Sequence, residues 1–294
     1  MAERQRASDA DGWRVRQSLS LVAEKRLASV AGLSETLQQA RGAPRPAKTG
    51  SVAKMTNDPA QLNVLMSGGF AAAYEQLLPE FKRVTGIKVT TGSGASQGTG
   101  PQTIAAQLAR GMPADVVILS REGLSDLIAA NKIVAGTDVD LARVPLGVAV
   151  REGAAKPDVS TVEAFKQVLL KAKTVAIPGS TSGIWLATEL FPRLGVAEKI
   201  NVKAMPRGAD AAGMVAVGGA DLAVMPVSEI VHAAGIDFAG SIAPEIQFVQ
   251  VFSAAVVAGS GEIKGSKRLI DFLASTRARE AISNCGMEPL ATAR

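Results

Sequence analysis

The most constraining feature of this chain is a unit in which a short apolar run stops in a serine–glycine turn and a helical pattern follows. In the first copy, the run 62–66 ends in Ser67, Gly68 and Gly69, and apolar residues then recur at helical spacing over 71–81. Such a turn places a hydroxyl group and free backbone N–H groups at the positive end of a helix dipole. The unit therefore predicts an α/β fold with helix starts that can bind an anion.

Three further turns repeat this unit. They are the glycine-rich loop 92–100, the turn 120–123 after the run 116–119, and the turn 178–183 after the run 174–177. Glycine lets a ligand approach the backbone closely, and hydroxyl groups at a helix start donate to an oxyanion without supplying a full positive charge. One such turn alone is typical of an ordinary helix N-cap. Four at corresponding positions favour a small anion held between two lobes.

Strands and helices alternate along the chain from residue 62. The predicted strands are 62–66, 87–91, 116–119, 144–150, 174–177, 221–225 and 248–257. The predicted helices are 71–85, 102–110, 123–130, 162–172, 183–194, 209–217, 227–234, 267–275 and 278–284. This alternation predicts parallel, doubly wound α/β sheets, which bind ligands beyond the carboxyl ends of their strands.

The N-terminal segment differs from the rest of the chain. We predict an extension at 1–60 that is partly helical, with a linker at 41–58 rich in Pro, Gly, Ser and Lys. The apolar stretch from Leu19 is interrupted by Glu24, Lys25 and Arg26, whereas a secretory leader needs about 7–15 uninterrupted apolar residues. On the sequence as written, a cytoplasmic location is therefore an alternative to an exported one.

Composition and charge narrow the function classes. Apolar residues make up 47% of the chain and no run reaches the roughly 20 apolar residues of a membrane helix, so we expect a globular protein without a membrane span. Residues 1–60 carry a net charge of +4 out of the total of +5, which leaves the body nearly neutral. Without a concentrated basic patch in the body, we expect no nucleic-acid binding.

The chain has few of the residues that usually form metal sites, cofactor sites or catalytic nucleophiles. Cys285 is the single cysteine and His232 the single histidine, so neither a transition-metal site nor a Cys–His or Ser–His–Asp nucleophile has its usual residues. The phosphate-binding motif GxxxxGK[ST] is absent, and the loop 92–100 does not match a dinucleotide-binding turn. We predict no metal and no cofactor.

Several stretches carry a family resemblance. They are LNVLMSGGFAAAYEQLLPEFKRVTGIKV at 62–89, QLARGMPADVVIL at 107–119, LGVAV at 146–150 and the segment 175–196. Over about residues 61–290 the chain resembles the type 2 periplasmic binding proteins of the molybdate-binding kind. The SGGF turn and the PADV run are similar to a side branch of that family that includes a bacterial aconitate isomerase.

The resemblance implies two doubly wound α/β lobes joined by a hinge at 146–150, with lobe 1 formed by 61–145 plus 262–294 and lobe 2 by 146–261. It also implies a monomer in the periplasm that closes over a small anion and feeds an ABC-type membrane permease. The anion would be a molybdate-like oxyanion or an organic polycarboxylate. The alternative is an aconitate isomerase-like enzyme that shifts a double bond in a tricarboxylate, and the sequence leaves open whether the protein is an enzyme.

The predicted ligand-binding residues lie at strand ends and helix starts. They are Ser67, Gly68, Gly69, Ser93, Ser96, Gln97, Ser120, Arg121, Ser180, Thr181, Ser182, Arg207 and Ser228. The two arginines would matter for a polycarboxylate, because a guanidinium group can bind a carboxylate through two hydrogen bonds. Glu229 is the predicted acid/base residue only if the protein is an isomerase.

Two departures from the molybdate-binding pattern bear on the ligand. That family usually has Ala-Ala-Ala-Ser where this chain has Ser67, Gly68 and Gly69 after Met66. The tyrosine that often covers molybdate late in the chain has no counterpart, since Tyr74 is the single tyrosine, and the segment 225–229 stands in that region. Both differences point toward an organic acid.

Overall fold

The first apolar run forms a buried strand whose neighbours build the first of two sheets. The computed structural model describes residues 61–290, and the predicted extension and linker at 1–60 lie outside the described residues. The first sheet has six strands in the order β11-β4-β10-β3-β1-β2. Their bounds are β1 Gln61–Met66, β2 Lys88–Ser93, β3 Val116–Ser120, β4 Val139–Val144, β10 Gln250–Val256 and β11 Glu288–Pro289.

The second sheet has five strands in the order β7-β6-β8-β5-β9. Their bounds are β5 Leu146–Arg151, β6 Val175–Pro178, β7 Val202–Met205, β8 Leu222–Pro226 and β9 Ile236–Ser241. Both sheets are mixed, not purely parallel as the alternation predicts. Strands β1, β2 and β3 pair in parallel, as do β6, β7 and β8, whereas β4, β5, β9, β10 and β11 pair antiparallel.

Helices cover both faces of each sheet. They are α1 Ala71–Thr85, α2 Ile104–Ala109, α3 Arg121–Ala129, α4 Val162–Lys171, α5 Thr181–Trp185, α6 Phe191–Arg193, α7 Gly208–Ala216, α8 Ile263–Leu273 and α9 Arg279–Asn284. A π-helical turn, Leu186–Leu190, joins α5 to α6, and 3₁₀ turns occupy Gly68–Phe70, Val227–Glu229, Pro244–Ile246 and Thr276–Ala278. Within 61–290, no helix has the length and apolarity to span a bilayer.

Among the four predicted turns, only the one at 120–123 caps its helix through a side chain, because Ser67 and Ser180 make no cap hydrogen bond within the described residues. Thr103, Ser120 and Thr161 each accept a hydrogen bond from the backbone N–H three residues later, which caps α2, α3 and α4. Helix α1 ends at Gly86, whose φ of 69° is the left-handed conformation that glycine adopts without strain. The turns thus terminate the strands and start the helices that surround the cleft.

Each sheet packs against two apolar clusters, one on each face. In the first sheet, one cluster includes Phe70, Phe81 and Phe252, and a second cluster gathers around Leu119 and Leu124. In the second sheet, one cluster includes Phe165, Leu186 and Phe191, while the other is made largely of alanine and valine from α7 and β8. We call the first sheet with its helices the first lobe and the second sheet with its helices the second lobe.

The chain crosses between the lobes twice. The first crossover is Pro145, between β4 and β5, and the second is the segment 242–249, between β9 and β10. Because β4 pairs with β10 and β5 pairs with β9, the two crossing strands are neighbours in both sheets. The connection is therefore a two-stranded ribbon that passes from one lobe into the other.

Most predicted elements are confirmed to within two or three residues, and the exceptions are informative. The helix predicted at 227–234 is wrong, because only the single 3₁₀ turn Val227–Glu229 forms there. Strands β4, β7, β9 and β11 are absent from the prediction. The sequence also predicts residues 248–257 in the second lobe, whereas β10 lies in the first sheet between β4 and β3, because the second crossover precedes it.

Candidate functional site

A small cavity lies where the strand ends of the two lobes face each other. Its volume is about 20 Å³, which is room for roughly one water molecule. We call it the polar cavity. It is lined by Ser67, Gly68, Gly94, Ala95, Pro178, Ser180, Ser182, Arg207, Gly208, Pro226, Glu229 and Gln250. Both lobes contribute, and five of the predicted ligand-binding residues are among these.

The first wall of the polar cavity is the turn that opens the repeated unit. Ser67 is buried, its backbone N–H donates to the Ile118 carbonyl at 2.8 Å, and its side chain makes no cap hydrogen bond. Gly68 begins the 3₁₀ turn that leads into α1. Gly69 has a packing role instead, because a Cβ atom there would lie 2.0 Å from the Phe252 ring. The Ser67 hydroxyl is thus free of the helix backbone.

Glu229 stands between the lobes. A Cβ atom on Gly68 in the first lobe would lie 3.3 Å from its Oε1, and a Cβ atom on Gly208 in the second lobe would lie 1.2 Å from its Oε2. Glycine at 208 therefore makes room for the carboxyl group. Oε2 is buried and has no hydrogen-bond partner in the part of the chain that the structure describes, and burial raises the pKa of Glu229 from 4.5 to about 7. The group can be neutral or charged near neutral pH.

Two further polar side chains complete the cavity. Arg207 precedes α7 and its guanidinium group donates to both carboxylate oxygens of Asp210 at 3.1 Å. Gln250, on β10, is 4% exposed and its Oε1 atom has no partner. The polar cavity therefore combines one cation, serine hydroxyls and two buried acceptor oxygens that lack donors.

A second group of predicted residues joins the lobes directly. Thr181 Oγ1 donates to Gln97 Oε1 at 3.0 Å and shares a 2.7 Å hydrogen bond with Ser120 Oγ. The Gln97 backbone N–H donates to Ser180 Oγ at 3.2 Å. We call these four residues the latch. Ser96 supports it, since its Oγ accepts from the Ser120 backbone N–H at 2.9 Å.

The remaining three predicted residues also lie outside the lining of the polar cavity. Arg121 binds Asp138 at 2.8 Å and also Asp140, so its guanidinium group is engaged by two carboxylates of its own lobe. Ser93 is exposed at the end of β2. Ser228 is buried and lines the neighbouring cavity described next, and within residues 61–290 its Oγ atom has no hydrogen-bond partner.

That neighbouring cavity, of about 420 Å³, shares Gly68 and Glu229 with the polar cavity. Its walls are mainly small side chains of α1 and α7: Ala71, Ala72, Ala209, Ala212 and Gly213. Ser228, Glu75, His232, Ala233 and Ala234 complete it. We call it the alanine cavity.

One protein family matches almost the whole of the described chain. The model of bacterial extracellular solute-binding proteins matches residues 62–288. The chain belongs to this family.

A curated relative indicates which branch of the family this chain resembles. The chain is 37% identical over 230 residues to an aconitate isomerase from a Pseudomonas species, which covers 78% of this chain and 88% of that protein. The match spans both lobes. The side branch that the SGGF turn and the PADV run indicate is therefore supported by a relative in it.

Solved structures of two binding proteins share the fold. The periplasmic molybdate-binding protein of Azotobacter vinelandii has a TM-score of 0.59 at 21% identity, covering 77% of this chain and 98% of its own. A sulfate-binding protein of Mycobacterium tuberculosis has a TM-score of 0.64 at 21% identity, covering 80% and 88%. At this identity the likeness shows the two-lobed fold.

Sequence analysis of this solute-binding family member missed Gln250 and Gly208. Gln250 carried a usable signal, because it is a polar residue at the start of an otherwise apolar strand. Gly208 carried none, since its importance depends on the position of Glu229, a residue twenty-one places later whose location only the fold determines.

Proposed function

We propose that this protein binds a small organic polycarboxylate between its two lobes and delivers it to an ABC-type membrane permease. The observation that carries the proposal is Arg207 on the wall of the polar cavity. A tetrahedral oxyanion can be held by neutral hydroxyl and N–H dipoles alone, whereas a ligand with several carboxylates gains from a cation on the cavity wall. Nε and Nη2 of Arg207 donate to Asp210, so a ligand carboxylate would bind mainly through Nη1.

Glu229 supports the same ligand class. In its ionised form Glu229 presents Oε2 as an acceptor, and neither this atom nor Gln250 Oε1 has a donor among the described residues; a fully ionised oxyanion cannot donate to either. An organic acid can carry a hydroxyl group or share a proton with Glu229. The extracellular family supports a location outside the cytoplasmic membrane. We further propose that the protein works as a monomer, with one lobe at 61–144 and 250–290 and the other at 146–241.

A thermal-shift panel tests the ligand class. The ligands are molybdate, tungstate, sulfate, phosphate, citrate, and cis- and trans-aconitate, since a ligand that binds only the folded state raises the melting temperature. We expect the tricarboxylates to stabilise the protein and Arg207→Gln to remove that effect. Arg193→Gln, an exposed arginine on α6, is the matched control. Stabilisation by molybdate or sulfate alone would contradict the proposal.

A second candidate function is an aconitate isomerase-like enzyme, favoured by Glu229 and by the curated relative. In its ionised form Glu229 would remove a proton from the methylene carbon next to a carboxylate, which moves the electron pair into a delocalised enolate. Returning the proton at the far end of the three-carbon unit shifts the double bond and leaves the atom count unchanged. A base with a pKa of about 7 suits this transfer near neutral pH.

An NMR assay separates the two functions. Incubating the protein with cis-aconitate in D₂O should give trans-aconitate and deuterium at the transferred position if Glu229 catalyses the shift. Glu229→Gln should abolish conversion while the thermal shift with citrate persists. Stabilisation by aconitate without conversion would leave a binding protein.

A further inference from the structure

The alanine cavity has features of a ligand compartment, although no sequence motif indicates it. It lies between α1 of the first lobe and α7 of the second and opens beside Glu229. Glu229 and Gly68 line both cavities, so the two spaces are separated by one carboxyl group and one residue without a side chain.

Size separates the roles of the two cavities. The polar cavity, at about 20 Å³, has room for roughly one water molecule and cannot enclose the carbon skeleton of an organic acid. The alanine cavity, at about 420 Å³, is within the range that encloses small organic ligands. A ligand that reaches Glu229 with its reactive carbon needs space on one side of it, and the alanine cavity supplies that space.

The chemistry of the walls is also selective. Ala71, Ala72 and Ala209 present methyl groups, which favour a hydrocarbon segment over a charged one. Ser228 lines this cavity and is 5% exposed, and its buried Oγ atom has no hydrogen-bond partner among the described residues. A buried hydroxyl without a partner destabilises the folded protein, and a hydrogen bond to a ligand hydroxyl or carboxyl oxygen would remove that cost.

A comparably large cavity on the other side of the cleft lacks this feature. It has a volume of about 400 Å³ and is lined by the loop 97–103 and by residues 204–206. Among the described residues that line it, none has a buried side-chain polar atom without a partner. The alanine cavity is therefore the better candidate.

We infer that the alanine cavity holds the carbon skeleton of the bound acid, with Ser228 Oγ hydrogen-bonded to its distal oxygen and one carboxylate directed past Glu229 toward Arg207. This inference rests on the proposed binding of an organic acid. If the inference is correct, the side chains of α1 and α7, two helices that approach each other across the cleft, determine how long an acid the protein can bind.

The test fills the cavity from α7. Gly213→Leu and Ala209→Leu place a larger side chain on its wall, and a Cβ atom at 213 has open space around it. Replacing Gly213 in a helix favours folding, and Ala209 is exposed and leucine is also a good helix former, so both variants are expected to be stable. Gly213→Ala is the matched control, because it makes the same change in helix propensity while adding a single methyl group.

Isothermal titration with trans-aconitate gives the readout. We expect Gly213→Ala to bind within about twofold of the parent protein and both leucine variants to bind at least about tenfold more weakly, a loss of about 1.4 kcal/mol. Ser228→Ala should weaken binding about fivefold while its melting temperature is kept or raised, since an unsatisfied hydroxyl is removed.

Two outcomes would overturn the inference in distinguishable ways. Parent-like affinity in both leucine variants would place the carbon skeleton elsewhere and leave the proposed function intact. Failure of the parent protein to bind any of citrate, cis-aconitate and trans-aconitate would refute the proposed function and the inference together.

Discussion

At the scale of single residues, the cleft is organised around one carboxyl group. Glu229 meets Gly68 of one lobe and Gly208 of the other, and each glycine leaves the space that the carboxyl oxygens occupy. Its raised pKa has a consequence for stability that can be measured without a ligand.

The stability of the protein should fall as pH rises through the range in which Glu229 ionises. The folded-state pKa of about 7 lies above the ordinary value of 4.5, so the folded protein holds the proton more tightly than the unfolded chain. The stabilisation is fully present below about pH 4.5 and is lost by about pH 7, an effect of about 3 kcal/mol. Glu229→Gln should remove this contribution.

Melting temperatures of both proteins between about pH 4.5 and pH 8 provide the measurement. Glu152→Gln, which changes an exposed glutamate, is the control. Parallel curves for the parent protein and Glu229→Gln would show that Glu229 keeps an ordinary pKa.

Gly69 gives a prediction about packing. Gly69→Ala should destabilise the protein by about 1–3 kcal/mol, because the added Cβ would overlap the fully buried Phe252 ring, at 2.0 Å. Gly100→Ala is the matched control, since a Cβ there meets nothing within 4 Å. Urea unfolding of both variants measures the difference, and equal midpoints would be inconsistent with this packing.

At the scale of elements, the two crossovers are joined by one side chain. Gln247 Oε1 accepts from the Leu146 and Phe248 N–H groups at 2.7 and 3.1 Å, and Nε2 donates to the Leu146 and Ile242 carbonyls, both at 3.1 Å. The side-chain amide thus makes the hydrogen bonds that a neighbouring strand would make, at the point where the ribbon passes from one sheet to the other.

Gln247→Ala should make the backbone amides of that ribbon more accessible to solvent. Removing the amide leaves backbone groups of Leu146 and Phe248 without their partner, at a cost of about 2 kcal/mol or more. Native-state hydrogen exchange should then show faster exchange at these two amides. Gln167→Ala, which removes an exposed hydrogen bond to Glu163 within α4, is the control and should leave both amides unchanged.

Three of the four strands that the sequence misses lie at sheet edges, although the edge strand β2 is predicted. Central strands such as β3 and β8 are fully buried and read as continuous apolar runs. Strands β7, β9 and β11 are sheet edges and are more exposed, so they lack that run. Strand β4 carries Asp140 and Arg143, which form ion pairs. These charged residues interrupt the apolar run by which a buried strand is recognised.

The same contrast applies to the site. Helix-start residues such as Ser67 and Ser180 could be predicted, because their chemistry is local to a turn. Whether a given turn faces the cavity, the other lobe or solvent depends on how the lobes meet, and sequence pattern alone could not separate Ser180 from Ser93 or Arg207 from Arg121.

At the scale of the whole molecule, the latch connects the lobes through three hydrogen bonds, two between side chains and one from the Gln97 backbone N–H to Ser180 Oγ. Thr181 of the second lobe bonds both Gln97 and Ser120 of the first, and Ser120 is fully buried. These contacts belong to the arrangement in which the cleft is closed. They should therefore contribute to the balance between closed and open forms.

Thr181→Ala should shift that balance toward the open form. The variant loses both hydrogen bonds across the cleft and leaves Ser120 Oγ without that partner, at a cost of about 1–3 kcal/mol to the closed form. Small-angle X-ray scattering should show a larger radius of gyration. Thr188→Ala, whose hydroxyl bonds only within its own helix, is the control. An unchanged radius would mean that the latch does not govern closure.

The position of β10 also determines the order in which the two sheets can be completed during synthesis. All five strands of the second sheet lie within residues 146–241, so they emerge from the ribosome as one uninterrupted segment. The first sheet cannot close until residues 250–256 have been made, because β10 separates β3 from β4. Strands β1 to β3 can pair as soon as they emerge, whereas β4 stays apart from them until β10 has been made, by which time the whole second sheet is available to fold.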